Sequence, residues 1–120
     1  MKTTKKDFKL FKKECTKWID IFGLKDWAID YEHESIGLDI LAQTCGDTQN
    51  RHAFLQLDVA WDTYPSTPAL IKRSAFHEVC ELFLMDIRMG LLSRTITEIQ
   101  VDTMIHQVIR TLENVLYPAY

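Results

Sequence analysis

The chain has 120 residues, of which 47% are hydrophobic and 26% are charged, and this length predicts a single domain over residues 1–120. The formal net charge of −3 excludes a protein whose whole surface binds nucleic acid. No apolar run approaches the ~20 residues that a membrane-spanning helix needs, so no membrane partner is expected.

The first predicted element is a helix over residues 4–22. Its apolar residues recur at spacings of three and four and therefore share one face: Phe8, Phe11, Cys15, Trp18 and Phe22. Gly23 accepts the left-handed conformation that ends a helix. Lysines fill the other side, and five of them are a candidate contact for an anionic partner: Lys5, Lys6, Lys9, Lys12 and Lys13. A plain solvated face is the alternative.

Three short strands are predicted next. The first contains Trp27, Ile29 and Tyr31, which alternate with less apolar residues as in a half-buried strand. The second lies around Leu41–Cys45, and the third is marked by alternating apolar residues at 53, 55, 57 and 59. A turn cluster at residues 46–50 joins the last two strands as a hairpin, so the sheet is predicted to be mainly antiparallel.

Two helices are predicted to complete the chain. Thr67 and Pro68 form an N-cap and first-turn pair, and the helix that they begin is expected to run to about Met89 and to end at Gly90. It is apolar nearly all round, which is typical of a buried central helix. The last helix is predicted over about residues 95–116. The fold class is therefore α+β, with the sheet packed against the two later helices.

The central helix carries a polar stripe that is the most informative pattern in the chain. Its members fall on one narrow face: Ser74, His77, Glu78, Glu81 and Arg88. His77 and Glu81 are one turn apart, so their side chains point to the same place, and Glu78 is rotated from His77 by about 100°. In metalloprotease helices, positions i and i+4 hold the metal and position i+1 supplies the general base.

The stretch His77-Glu78-Val79-Cys80-Glu81 resembles the H-E-x-x-H helix of zincin metallopeptidases, with glutamate in place of the second histidine. The preceding order also matches: an opening helix, the segment 23–29, a strand hairpin and a loop into the motif helix. This order is similar to SprT-like domains and to small phage-encoded zincin-like proteins. The resemblance implies a zincin-like core and metal-dependent hydrolysis of peptide bonds.

The resemblance also implies a set of site residues. His77 and Glu81 would hold a divalent metal ion, and Glu78 would be the catalytic base. The third ligand is expected after the motif helix, where Glu98 fits, with Asp102 orienting His77. His106 is a rival third ligand, because SprT-like domains use a histidine there. Zinc is the metal that the family implies, carboxylate ligands also suit manganese or iron, and a protein without metal is the alternative.

The altered motif leaves several functions open. One is a metal-dependent peptidase acting on a peptide or protein substrate. Another is a catalytically inactive zincin-fold protein that binds a host protein as an accessory module. Association of the lysine-rich helix with nucleic acid is a weaker third option. The interpretation without a functional site is a solvated polar stripe on the central helix, with Glu98 and Asp102 as the ordinary acidic first turn of the last helix.

The cysteines and the N-terminus predict the compartment. Cys15, Cys45 and Cys80 form no C-x-x-C pair, and their odd number argues against a disulfide framework. The basic N-terminus lacks the apolar run and cleavage site of a signal peptide. Reduced thiols in a cytoplasm are therefore expected.

Overall fold

The computed structural model describes residues 2–37, 39–61, 64–92 and 96–116. In chain order they form helix α1 (Lys5–Ile21), strands β1 (Ala28–Glu34), β2 (Ala42–Asp47) and β3 (His52–Asp58), and helices α2 (Pro68–Phe83), α3 (Met85–Leu92) and α4 (Glu98–Leu116). The predicted α+β class, with a helix at each end of the chain, is confirmed. Within the described ranges, no helix combines the length and apolar character needed to cross a membrane.

Helix α1 is fixed at both ends by local chemistry. The Thr4 hydroxyl accepts a hydrogen bond from the Asp7 backbone N–H, and the Asp7 carboxylate accepts one from the Thr4 N–H, which completes a capping box. Gly23 follows the helix with a φ of 69°, as its predicted role as a stop residue requires. Phe11 and Cys15 are fully buried, so the predicted apolar face points to the core.

The sheet is mixed, with strand order β1-β3-β2. The predicted hairpin is present, because β2 pairs with β3 in antiparallel orientation. The expectation of a mainly antiparallel sheet was wrong, since the other pairing, β1 with β3, is parallel. The parallel register aligns Ile29 with Ala53 and Tyr31 with Leu55, which puts the less polar residues of both strands on one face.

The core lies between that face of the sheet and helices α1 and α2. It includes Phe11, Leu55, Trp61, Ile71 and Val79, all with 0% of their surface exposed. The sequence predicted that the two later helices would cover the sheet. Helix α1 takes that place beside α2 instead, and α4 contributes no buried residue.

The predicted central helix is interrupted at Leu84, which separates α2 from α3. Leu84 is 48% exposed and the next residue, Met85, is only 3% exposed. The interruption therefore turns Met85 inward, where its side chain lies against Gly46 of β2. Gly90 does not end the helix as predicted but lies within α3, where the Met104 side chain of α4 occupies the space that a Cβ would need.

Helix α4 begins with a second capping box. The Thr97 N–H donates to the Gln100 side chain, and the Gln100 N–H donates to the Thr97 hydroxyl. The predicted start at residue 95 lies outside the described residues. Helix α4 packs mainly on α3, so it does not cover the sheet as predicted.

Candidate functional site

Glu78 is the buried acid of the motif helix. It is 7% exposed and lies between α2 and β2, where its carboxylate accepts a hydrogen bond of 2.8 Å from the Thr44 hydroxyl. The same hydroxyl lies 3.0 Å from the Glu78 carbonyl oxygen. Burial raises the pKa of the Glu78 carboxyl above its ordinary value, and the hydrogen bond from Thr44 partly offsets that rise. Glu78 therefore joins the helix to the edge of the sheet.

His77 and Glu81 lie together, as their spacing predicts. The His77 Nε2 is 3.5 Å from the Glu81 Oε1, and the His77 side chain is 68% exposed. The other carboxylate oxygen of Glu81 accepts a hydrogen bond of 3.0 Å from Arg88 of α3. Glu81 is thus held between two basic side chains at the surface, and an added cation would compete with Arg88 for it.

The predicted residues of the last helix lie elsewhere. Glu98 and Asp102 are exposed on α4 and line a shallow hollow together with Ile99, Val101 and Ile105. His106 lies one turn further on, where its Nδ1 is 2.8 Å from the Asp102 carbonyl oxygen. Glu98 and Asp102 are not brought together with His77 and Glu81, because α4 rests on α3 and not on the sheet.

These positions bear directly on the predicted metal centre. Catalytic zinc is normally held by three protein ligands. The described residues include His77, Glu81, Glu98 and His106, yet they contain no group of three His, Cys, Asp or Glu side chains placed to hold one ion. His77 and Glu81 supply two donors. The residues as arranged here therefore do not fit the predicted metal.

A cleft of about 580 Å³ opens beside the motif. Its walls are the exposed face of α2, the segment that leads into β2, and Tyr64. Its lining residues include Ala42, Tyr64, Arg73, His77 and Glu78. The volume is within the ~300–1,000 Å³ of ordinary ligand sites. His77 and Glu78 thus face a hollow.

Strand β2 forms the free edge of the sheet next to this cleft. The Asp58 N–H donates to the Leu41 carbonyl oxygen, which fixes the alternation of hydrogen bonds along the β2–β3 pair. In an antiparallel pair, every second residue directs its backbone groups away from the partner strand. Ala42, Thr44 and Gly46 are those residues, so their N–H and C=O groups point outward from the sheet.

The lysine stripe of α1 is solvent-accessible. Four of its members are exposed, and Lys12 is half-buried with its Nζ 4.9 Å from the centre of the Phe8 ring. Within the part of the chain that the structure describes, no carboxylate pairs with any of the five: Lys5, Lys6, Lys9, Lys12 and Lys13. Lys17, which follows them, pairs with Glu14 at 3.6 Å.

Sequence reasoning missed two parts of the site. Thr44 belongs to no recognisable motif. Its hydrogen bond to Glu78 depends on the strand register that places it opposite Leu55 and beneath α2. The edge position of β2 follows from the parallel β1–β3 pairing, which residue alternation does not reveal. Comparison with known proteins gives no match to a family model, to a curated protein or to a solved structure.

Proposed function

We propose that this chain is a zincin-like protein whose α2–β2 cleft binds an extended peptide segment without hydrolysing it. One observation carries the proposal: the outward backbone groups of β2 lie beside the cleft that His77 and Glu78 line. This is the catalytically inactive alternative that the altered motif leaves open. The bound segment would belong to a protein partner.

Strand addition supplies the binding energy in this proposal. An extended peptide that pairs with β2 makes main-chain hydrogen bonds, and pockets for its alternate side chains give selectivity. The outward groups of Ala42 and Thr44 are available for such pairing. A side chain of the peptide would enter the cleft, where Tyr64 offers an aromatic surface and Arg73 and His77 offer polar contacts.

The contacts of the motif residues support the non-catalytic part of this proposal. Glu81 is paired with Arg88, and Glu78 accepts its hydrogen bond from Thr44 of the sheet. A general base must lie within hydrogen-bond reach of the proton that it removes. Glu78 in this position serves to join α2 to β2, and His77 is left as a surface group of the cleft.

The Ala42→Pro variant tests peptide binding at β2. Proline removes the outward N–H of Ala42, and edge strands tolerate proline where the N–H does not pair within the sheet. The Ala42→Ser variant keeps that N–H and is the matched control. Selection from a library of displayed linear peptides should enrich binders of the wild type and of Ala42→Ser, and these binders should lose at least about tenfold in affinity for Ala42→Pro. Equal binding to all three proteins would contradict the proposal.

A metal-dependent peptidase is the second candidate, favoured by the raised pKa of Glu78 next to the His77–Glu81 pair. Its test is elemental analysis of protein purified without chelator, together with release of fluorescent fragments from labelled casein. We expect zinc, manganese and iron at background. Stoichiometric metal that His77→Ala loses, with cleavage that Glu78→Gln abolishes, would establish the peptidase and overturn the non-catalytic proposal.

The lysine stripe supports an anionic partner as a separate, second contact. Five lysines without a carboxylate partner in the described residues lie on one helix of a chain whose net charge is −3. Binding to a labelled single-stranded DNA should weaken steeply with salt, because Lys contacts to phosphate release counterions. Replacing the five lysines with glutamine should abolish it, and binding that persists in this variant would remove the stripe from the contact.

A further inference from the structure

Arg73 is a basic side chain of the α2–β2 cleft that has no acidic partner among the residues that the structure describes. It lies on the exposed face of α2 and lines the cleft. By contrast, Arg51 is paired with two aspartates and Arg88 with Glu81. A guanidinium stays charged at neutral pH and binds a carboxylate through two parallel hydrogen bonds. Arg73 is therefore available to receive an acidic group from a ligand.

The donors for such a group lie on the α2 wall of the cleft. His77 follows Arg73 by one helical turn, lines the same wall and is 68% exposed. Two carboxylates also belong to the cleft. Glu78 is 7% exposed and accepts its hydrogen bond from Thr44, and Asp39 belongs to the segment before β2, on the opposite wall. Arg73 and His77 therefore present their N–H groups to the cleft without a carboxylate between them on α2.

The cleft has an apolar end next to this basic pair. Helix α2 and strand β2 run in the same direction, because Thr44 contacts Glu78 and the later Gly46 lies against Met85. Residues that come early in one wall therefore lie beside residues that come early in the other. The apolar lining residues precede Ala42 on one wall and Arg73 on the other: Ile40, Leu41, Tyr64 and Leu70.

We propose that the cleft selects an extended peptide that carries an aspartate or glutamate two residues away from a large apolar residue. This inference rests on the proposed addition of the peptide to β2. In an extended chain, side chains i and i+2 point to the same side and lie about 6.6–6.8 Å apart. The middle of the Arg73–His77 pair lies about five residues beyond Leu70, which is about 7.5 Å along the helix axis. One acidic and one apolar side chain on the same side of the peptide therefore reach both ends of the cleft.

A matched pair of peptides tests the acidic contact. One peptide selected on the wild type is synthesised with both ends capped, so that no terminal carboxylate can replace the side chain. Its acidic residue is either kept or replaced by the corresponding amide. The wild type should bind the acidic peptide at least about tenfold more tightly than the amide peptide. Equal affinities, or selected sequences that lack the acidic residue, would overturn the proposal.

Two neighbouring basic residues locate the contact. Arg73→Gln should bind the acidic peptide at least about tenfold more weakly than the wild type does, and the amide peptide within about threefold. Lys72→Gln removes the same charge one residue away, and Lys72 is exposed but does not line the cleft. This control should keep the preference of the wild type. A preference that survives in Arg73→Gln, or that Lys72→Gln also loses, would contradict a direct contact with Arg73.

The opposite wall distinguishes an acidic ligand from a basic one. Asp39→Asn removes a carboxylate that lines the cleft, so the affinity for the acidic peptide should stay the same or increase. A loss of about tenfold or more would indicate that the cleft receives a basic group and would contradict the proposal.

The Ala42→Pro variant separates this inference from the proposed strand addition. Suppose that Ala42→Pro weakens binding while the wild type binds the acidic and the amide peptide equally. The strand addition then stands and the acidic selectivity is overturned. Binding of the acidic peptide that Ala42→Pro leaves unchanged, but that Arg73→Gln weakens, would overturn the strand addition instead.

Discussion

At the scale of single residues, the burial of Glu78 affects how readily its carboxyl ionises. It is 7% exposed, and burial raises its pKa. Below the ordinary pKa the carboxyl is protonated in the folded and the unfolded chain, and its burial costs least. As the pH rises through the folded pKa, the buried charge reduces the free energy of unfolding.

The Glu78→Gln variant tests this linkage. Relative to the wild type, its free energy of unfolding should be larger at about pH 7 than at about pH 4, because glutamine cannot ionise. Urea unfolding at the two pH values measures the difference. A stability difference between variant and wild type that is the same at both pH values would show that ionisation of Glu78 does not destabilise the folded protein in this range.

Thr44 donates the hydrogen bond that the buried Glu78 carboxylate accepts. The Thr44→Val variant keeps the shape of the side chain but removes the hydroxyl that donates to the Glu78 carboxylate at 2.8 Å. Loss of a partner for a buried charged acceptor should reduce the free energy of unfolding by about 1–3 kcal/mol at neutral pH. Thr44→Ser, which keeps the hydroxyl, is the control. A Thr44→Val variant as stable as the wild type would contradict a contribution of the hydroxyl to stability.

At the scale of elements, Arg51 ties the β2–β3 turn to α3 and to the segment before β1. Its guanidinium donates to Asp86 at 2.8 and 3.0 Å and to Asp26 at 2.8 and 3.1 Å, and it lies 4.2 Å from the centre of the Trp27 ring. Lysine keeps the charge but cannot form the two-pronged contact. Arg51→Lys should therefore lower the free energy of unfolding by about 1–3 kcal/mol.

The matched control for Arg51 is an exposed ion pair. Lys25 lies 2.6 Å from Asp20, with both side chains more than 60% exposed. Such pairs contribute about 0–1 kcal/mol, so Lys25→Gln should change stability little. Urea unfolding of both variants in low and high salt measures the contrast. Equal losses would show that the guanidinium contacts add nothing beyond a surface charge.

The sequence predicted those elements whose local pattern agrees with their packing. Helix α1 has one apolar face, a capping box and a closing glycine, and all three act as expected. The interruption at Leu84 has no glycine or proline signal, because it depends on Met85 reaching Gly46 of a distant strand. The parallel pairing of β1 with β3 is also non-local, so alternation within each strand cannot reveal it.

The candidate site was predictable only where it lies within one helix. The i and i+4 spacing brings His77 beside Glu81, as the geometry of a helix requires. Any third ligand depends on where α4 packs, and an apolar stripe does not say which surface will cover it. For the same reason, the sequence does not indicate the surroundings of Glu98, which is exposed in the structure.

At the scale of the whole molecule, the central claim is that the α2–β2 cleft binds an extended peptide through the edge of β2 and needs no metal to do so. Its most direct test is the binding isotherm of one selected, labelled peptide, measured with and without EDTA for the wild type and for Ala42→Pro. We predict isotherms of the wild type that coincide with and without chelator, and a loss of at least about tenfold in affinity for Ala42→Pro. Binding that EDTA abolishes, or cleavage of the peptide that EDTA stops, would contradict the account.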